Sequence, residues 1–295
     1  MDQAEQLRNI IKAGNVKRSR PLARVITVTS GKGGVGKSNT AINLAIQFRK
    51  MGKKVVILDA DFGLANIEIM FGAVPKHNFS DLIYQGKNIK DIITWGPMEV
   101  GFISGGSGIT GLSNLSKDYL TYIVHNLAEL DTIADVIIVD TGAGISDAVL
   151  EFLVASGEIL LVTTPEPTSI TDSYSLLKAL NGHPGLERDN TQICMIANRV
   201  SSANEGEVLF QKLDVVVSRY LKLPITYLGA VPQDPLLAKA VMQQLPVSLQ
   251  NPQARSAQAY EEIAAKLMKQ DEGQNTQKRG VAAFFSHIIG KRNNG

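Results

Sequence analysis

The chain has 295 residues, 44% of them hydrophobic, and carries 30 basic against 28 acidic side chains for a formal charge of +2. That length supports one large α/β domain with short appendages, and the near balance of charge excludes a generic polyanion binder, so any basic function has to be local. Its single cysteine, Cys194, lies in the apolar run 193–196; this excludes an intramolecular disulfide or a cysteine-built metal site and fits a small buried core residue.

The amino end opens with charged and polar residues in place of an apolar secretory segment, and no run approaches the roughly 20 apolar residues that cross a bilayer, so a cytoplasmic protein is expected. Residues 1–22 read as an appendage: Ala4, Leu7, Ile10 and Ile11 set a short helical pattern that ends near Gly14 and passes into a basic tether at Lys17, Arg18 and Arg20. From Val25 onward, β-branched runs at 25–29, 55–58, 136–139, 159–163, 193–197 and 225–231 alternate with helical patterns at 37–51, 117–130, 168–180, 205–221 and 254–269. Apolar strands alternating with helices predict an α/β domain over 23–269, a mostly parallel sheet flanked by helices on both faces. Residues 270–279 turn polar and small and read as a flexible linker.

The segment Ser30 to Ser38, SGKGGVGKS, follows an apolar strand and opens a helix, the setting that a Walker A phosphate loop requires. Gly31, Gly33, Gly34, Val35 and Gly36 let backbone amides face phosphate oxygens, with Asn39 in the first turn of the helix whose positive end assists. Lys37 is expected to bridge the terminal phosphates of ATP and the Ser38 hydroxyl to ligate Mg2+. Asp59 and Asp61 stand just beyond the carboxyl end of the second apolar strand, the edge where parallel sheets bind ligands; a catalytic role and a turn or helix-capping role both suit them there. Asp140 ends the run 136–139 in the manner of a Walker B aspartate and is expected to hold Mg2+, through water.

Lys32, a second lysine straight after the first glycine, is either a surface lysine or the mark of a subclass. With it, the motif resembles the deviant Walker A family of MinD, ParA and the flagellar regulator FlhG (YlxH), P-loop NTPases of the SIMIBI type. The resemblance implies that Lys32 reaches across an ATP-bound homodimer to the partner's phosphates, making a slow ATPase dependent on dimerisation. It implies further that Asp61 orients the attacking water, with Asp59 near the metal's water shell. Thr141 and Gly142 depart from the Ser-Pro that often follows the Walker B aspartate in that family. Adenine contacts are expected from Asn198, Pro232 and Asp234, by likeness to the family's Asn-Arg pair and Pro-x-Asp loop; Asp234 serves equally as a helix cap.

Both ends carry further signals. At 280–295, Val281, Phe284, Phe285, Ile288 and Ile289 share one helical face flanked by Lys278, Arg279, Lys291 and Arg292, a pattern that suits an anionic membrane surface or a groove on the protein itself. At the other end, Asp2, Gln3, Leu7 and Arg8 belong to a heptad resembling the activator motif of the FlhG subgroup; a frayed terminal helix is the plain alternative. That resemblance implies an FlhF-type GTPase and flagellar C-ring or regulatory proteins as partners. MinD-like division-site selection and a ParA-like partition ATPase are the competing functions. Nucleic acid is disfavoured, because Arg255, Lys266 and Lys269 are opposed by Glu261 and Glu262 on the last domain helix. Electron transfer like the nitrogenase iron protein lacks the cysteines.

Overall fold

The protein was analysed as a computed structural model, which describes residues 22–61, 66–105, 117–273 and 280–291. In chain order its main elements are β1 (Arg24–Thr29), α1 (Lys37–Lys50), β2 (Val55–Ala60), β3 (Thr94–Trp95), β4 (Gly101–Ile103), α2 (Lys117–Ala128), β5 (Val136–Thr141) and α3 (Asp147–Ala155). They continue with β6 (Glu158–Thr163), α4 (Pro167–Gly182), β7 (Gln192–Val200), α5 (Ala203–Tyr220), β8 (Thr226–Pro232), α6 (Pro235–Met242), α7 (Arg255–Gly273) and α8 (Gly280–Lys291). The eight strands form one sheet in the order β3-β4-β2-β5-β1-β6-β7-β8, and every pairing is parallel except β3 with β4. The predicted α/β class and all six predicted strands are present.

Alternation along each strand divides the core between the two faces of the sheet. Ile26, Val28, Val136, Ile138, Leu160 and Val162 point to the side covered by α1 and α7. Val56, Leu58, Ile137 and Val139 point to the opposite side, where α2, α3 and α8 pack, and farther along that side Ile159, Leu161 and Met195 meet α4 and α5. Strands buried on both faces read as unbroken apolar runs, which is why they were legible from sequence. Helix α3 was not predicted, because Ala148, Val149, Leu150, Phe152, Leu153 and Val154 run almost continuously and conceal the helical period. Its start is marked instead by the Ser146 hydroxyl, which accepts a hydrogen bond from the Val149 amide. Short helical turns at Asn66–Phe71, Phe79–Tyr84, Ile89–Ile92, Leu130–Ile133 and Val247–Gln250 also escaped the periodicity argument, each being under two turns. Helix α7 continues to Gly273, past the expected end at Lys269; residues 274–279 of the expected linker lie outside the described residues.

The C-terminal helix α8 packs into the body. Val281, Phe284, Phe285 and Ile288 are 0–2% exposed and join the core cluster under α2 and α3. The Phe285 ring stacks on Phe79 at 6.1 Å, and Phe284 lies 6.0 Å from Phe152 of α3. Of the two destinations open for this apolar face, the protein's own groove is the one it occupies here. The side chain of Ile289 lies outside the described residues. No helix among the described residues is long and apolar enough to cross a membrane.

One buried ion pair ties the sheet to the helix on its back. Arg24 of β1 donates from Nε and Nη2 to the two carboxylate oxygens of Glu158 on β6, at 2.8 and 2.6 Å, and from Nη1 to the Leu267 carbonyl of α7 at 2.9 Å. Both side chains are at most 10% exposed. Because removing the cation strands a buried carboxylate, Arg24→Ala is expected to lower the unfolding free energy by about 3–5 kcal/mol in urea denaturation. A loss no larger than that of a surface substitution would show that the pair is dispensable.

Candidate active site

The loop between β1 and α1 is shaped by two glycines that no other residue can replace without displacing a neighbour. A Cβ on Gly31 would sit 2.2 Å from the Asp172 carbonyl carbon of α4, so the loop backbone lies directly on that helix. Gly36 has φ of +99°, and a Cβ there would approach the Asn198 Nδ2 to 2.3 Å. Gly33 and Gly34 are exposed, Val35 and Lys37 are buried, and Ser38 and Asn39 are half-buried at the helix start. Thr40 donates to the Gly36 carbonyl at 2.9 Å and fixes the first turn. The loop and the positive end of the fourteen-residue α1 thus stand together at the carboxyl edge of the sheet.

Lys32 is not an idle surface side chain. Its ammonium donates to Glu166 Oε2 at 2.7 Å and to Thr168 Oγ1 at 2.9 Å, while remaining 37% exposed. The lysine holds the Glu166 carboxyl below its ordinary pKa. Glu166 and Thr168, at the start of α4, were missed by the sequence argument. The signal was available, since they follow the carboxyl end of β6, at the same ligand-bearing edge as the carboxylates of β2 and β5.

Asp59 and Asp140 are direct neighbours across β2 and β5, 2% and 0% exposed. Asp59 accepts from the Asp61 amide at 3.2 Å and the Ile67 amide at 3.3 Å, so it caps the turn of helix at Asn66–Phe71, as its turn-forming alternative anticipated. Asp61 accepts from Asn66 Nδ2 at 3.4 Å, a long contact. Phe62 and Gly63, which follow it, lie outside the described residues. Burial, with the charge of Asp140 adding to it, raises the Asp59 pKa to about 7 against the lowering effect of its amide donors. Burial raises that of Asp140 to about 6, although the nearby Ser38 hydroxyl and Lys37 ammonium pull the other way. Neither oxygen of Asp140 meets a donor in hydrogen-bonding geometry. A buried carboxylate with both oxygens unpartnered beside a lysine and a serine suits a divalent cation. Magnesium keeps several waters and shares phosphate oxygens, so it needs few protein ligands. The residues that would hold it are Ser38 directly and Asp140 and Asp59 through water. When bound, it neutralises charge on the triphosphate.

The expected adenine contacts are placed less simply. Asn198, at the end of β7, donates from Nδ2 to the Val35 carbonyl at 2.7 Å and so braces the phosphate loop, leaving Oδ1 without a partner. Asp234 accepts from the Leu236 amide at 2.9 Å and from the Ser256 amide and hydroxyl at 3.0 and 2.9 Å. Burial opposes its ionisation, but these donors outweigh it and hold the carboxyl below the ordinary range. Its capping alternative is the one realised: Asp234 starts α6 and pins α7, and both its oxygens are occupied. Pro232 ends β8 half-buried, near this cap. Asp2, Gln3, Leu7 and Arg8 lie outside the described residues.

With the geometry in place, comparison with known proteins assigns the family. A family model described as ParA, NUBPL iron-transfer P-loop NTPase, matches residues 21–268. The chain belongs to the ParA family of P-loop NTPases. It is an ATPase of the ParA/MinD type, and its phosphate loop with the buried Asp140 beside Lys37 and Ser38 suits ATP with Mg2+. The antiactivator FleN of Pseudomonas aeruginosa is 38% identical over 244 residues, 83% of this chain and 86% of that protein. The flagellum site-determining protein YlxH of Helicobacter pylori is 32% identical over 295 residues, 98% of each chain. The fold matches the septum site-determining protein MinD from Pyrococcus horikoshii, solved with Mg-ADP, at a TM-score of 0.67 and 22% identity over 85% of this chain and 98% of that one. Iron transfer, named in the family description, has no thiolate pair to support it here: Cys194 is the only cysteine, buried, its thiol pushed up to about 12 by burial.

Two outcomes test the geometry. Gly36→Ala forces a left-handed conformation and a clash with Asn198, and is expected to weaken ATP binding about tenfold or more by calorimetry; unchanged affinity would mean that the loop is not the phosphate site. Asp59 and Asp140 have folded pKa values raised above the unfolded value of about 4, so between about pH 4 and pH 7 the nucleotide-free folded chain binds more protons than the unfolded one. Its stability should therefore fall as pH rises through that window. Saturating Mg-ATP, which needs the ionised carboxylates, should flatten or reverse the slope. Denaturant titrations at pH 5 and pH 8 that showed the same slope with and without Mg-ATP would refute this account of the site.

Proposed function

We propose that this ATPase is a dimerising, membrane-associating switch that regulates flagellar number and placement. The observation that carries the reading is the alignment to the Helicobacter pylori flagellum site-determining protein over 98% of both chains, because so complete a match includes both terminal segments as well as the nucleotide fold. The antiactivator FleN of Pseudomonas aeruginosa supports it independently.

Residue roles follow from placement. Lys37 and the loop amides bind the triphosphate, Asp61 orients the attacking water, and Lys32 leaves Glu166 to reach the phosphates of a second protomer, supplying positive charge to the transition state in trans. The dimer is then the ATP-loaded state, and hydrolysis is slow without it. Helix α8 is the membrane-targeting segment of residues 280–295, docked in its own groove until the dimer forms. A route from the phosphates to that groove is built into the chain: β5 carries Asp140, the next helix is α3, and Phe152 of α3 contacts Phe284 of α8. Two released helices in one dimer bind an anionic inner membrane face more tightly than one, the second contact being intramolecular. The segment bearing Asp2, Gln3, Leu7 and Arg8 stimulates an FlhF-type GTPase by presenting an amide and a guanidinium to its phosphate site. C-ring or transcription-regulator components are further partners. Division-site selection is the second reading, favoured by the structural likeness to MinD.

Sedimentation with anionic vesicles decides the central point: ATP should bring the wild type down with lipid and ADP should leave it in solution. The variant lacking residues 281–295 should stay in solution with either nucleotide. Equal sedimentation of that variant would sink the membrane role. Lys32→Ala is expected to bind ATP within a fewfold of wild type yet remain monomeric by light scattering; an ATP-dependent dimer would refute its trans role. Deleting residues 1–20 should abolish stimulation of the partner GTPase, and full stimulation would favour the division-site reading.

A further inference from the structure

Both ends of the described chain meet at one carboxylate oxygen. Ala23, which leads into β1, donates its amide to Asp131 Oδ1 at 3.2 Å. Val281, the second residue of α8, donates its amide to the same oxygen at 3.1 Å. Asp131 belongs to the helical turn Leu130–Ile133 and is 6% exposed. Gly280 has φ of +61° at this junction, and a Cβ on it would lie 3.2 Å from the Leu22 side chain and 3.3 Å from Asp131 Oδ2. The entry to the sheet, the start of the terminal helix and the carboxylate are thus packed together.

We propose that Asp131 is a clasp that couples the two ends of the chain, so that loosening α8 also loosens the attachment of the N-terminal segment at Leu22 and Ala23. The physical basis is shared desolvation. While α8 covers the site, Asp131 is cut off from water and its bonds to both amides are electrostatically strong. When α8 lifts, the Val281 amide departs, the Leu22 contact with Gly280 is lost and water reaches the carboxylate. The Ala23 amide then competes with water for an acceptor that no longer depends on it.

The consequence for signalling rests on the function proposed above: membrane engagement of α8 would free the root of the partner-activating segment. The clasp itself does not depend on that reading. Amide hydrogen exchange on the full-length, nucleotide-free protein tests it, comparing wild type with Asp131→Ala and with Phe284→Ala, which loosens α8 away from the carboxylate. Asp131→Ala is expected to speed exchange about tenfold or more at Ala23 and at Val281 together. Phe284→Ala should speed exchange along α8 and, through the clasp, at Ala23. Faster exchange at Val281 with Ala23 unchanged, in either variant, overturns the coupling. Should Asp131→Ala open the whole sheet, Phe284→Ala decides alone. Anionic vesicles with ATP added to the wild type form a separate arm. If they leave both ends protected while Phe284→Ala couples them, the membrane reading fails and the clasp stands.

Discussion

The arrangement depends on one unfavourable contact: carboxylates brought together at the carboxyl ends of neighbouring strands, with too few donors to satisfy them. Parallel pairing of β2 with β5 sets Asp59 opposite Asp140; burial opposes ionisation of both, and the charge of Asp140 adds to the cost at Asp59. A chain selected for stability alone would not place them there. Positive charge from outside, a metal ion on a triphosphate, would relieve the strain, with Lys37 adjacent. Part of the binding free energy of the nucleotide would then be release of a cost already present in the fold, and the elements that follow β2 and β5 are the ones positioned to respond. Those elements are the turn of helix at Asn66–Phe71, which Asp59 caps, and α3, which touches the terminal helix.

That linkage gives the placement of α8 its meaning. The apolar face that fills the groove under α2 and α3 is the face that would enter a lipid surface, so the two environments remove much the same area from water. When two states compete on nearly equal terms, a bias of a few kcal/mol moves the population, and shifting it from about 1:99 to about 99:1 takes only about 5.5 kcal/mol. A sequence pattern cannot decide between such states, because amphipathicity is the property they share. The groove became visible only once Phe79, Phe152 and the strand residues of that face were brought together in space.

Legibility followed the same division throughout. The strands of the central sheet, the phosphate loop and the carboxylates at strand ends were readable because each is local: a run of β-branched residues, a glycine spacing, an acid just past an apolar stretch. Asn198 and Asp234 stand at the ends of their strands, but the partners they meet, the Val35 carbonyl and Ser256, could not be deduced from spacing. Glu166 belongs to a third kind. Its place after an apolar strand was a usable signal, obscured by flanking prolines that read as loop.

Lys32 shows why the missed residue matters. Its contact with Glu166 is half-exposed, and ion pairs of that sort are weak in water. A lysine anchored that lightly is ordered enough to keep clear of its own phosphate loop, yet free to exchange one anion for a stronger one. In the proposed dimer, the triphosphate of a second protomer, carrying more charge and shielded from solvent by the interface, would be such an anion. The exchange would then require both nucleotide and partner, so the resting contact would discriminate against either alone; a deeply buried pair in its place would hold the lysine in one protomer and leave that site without its second cation.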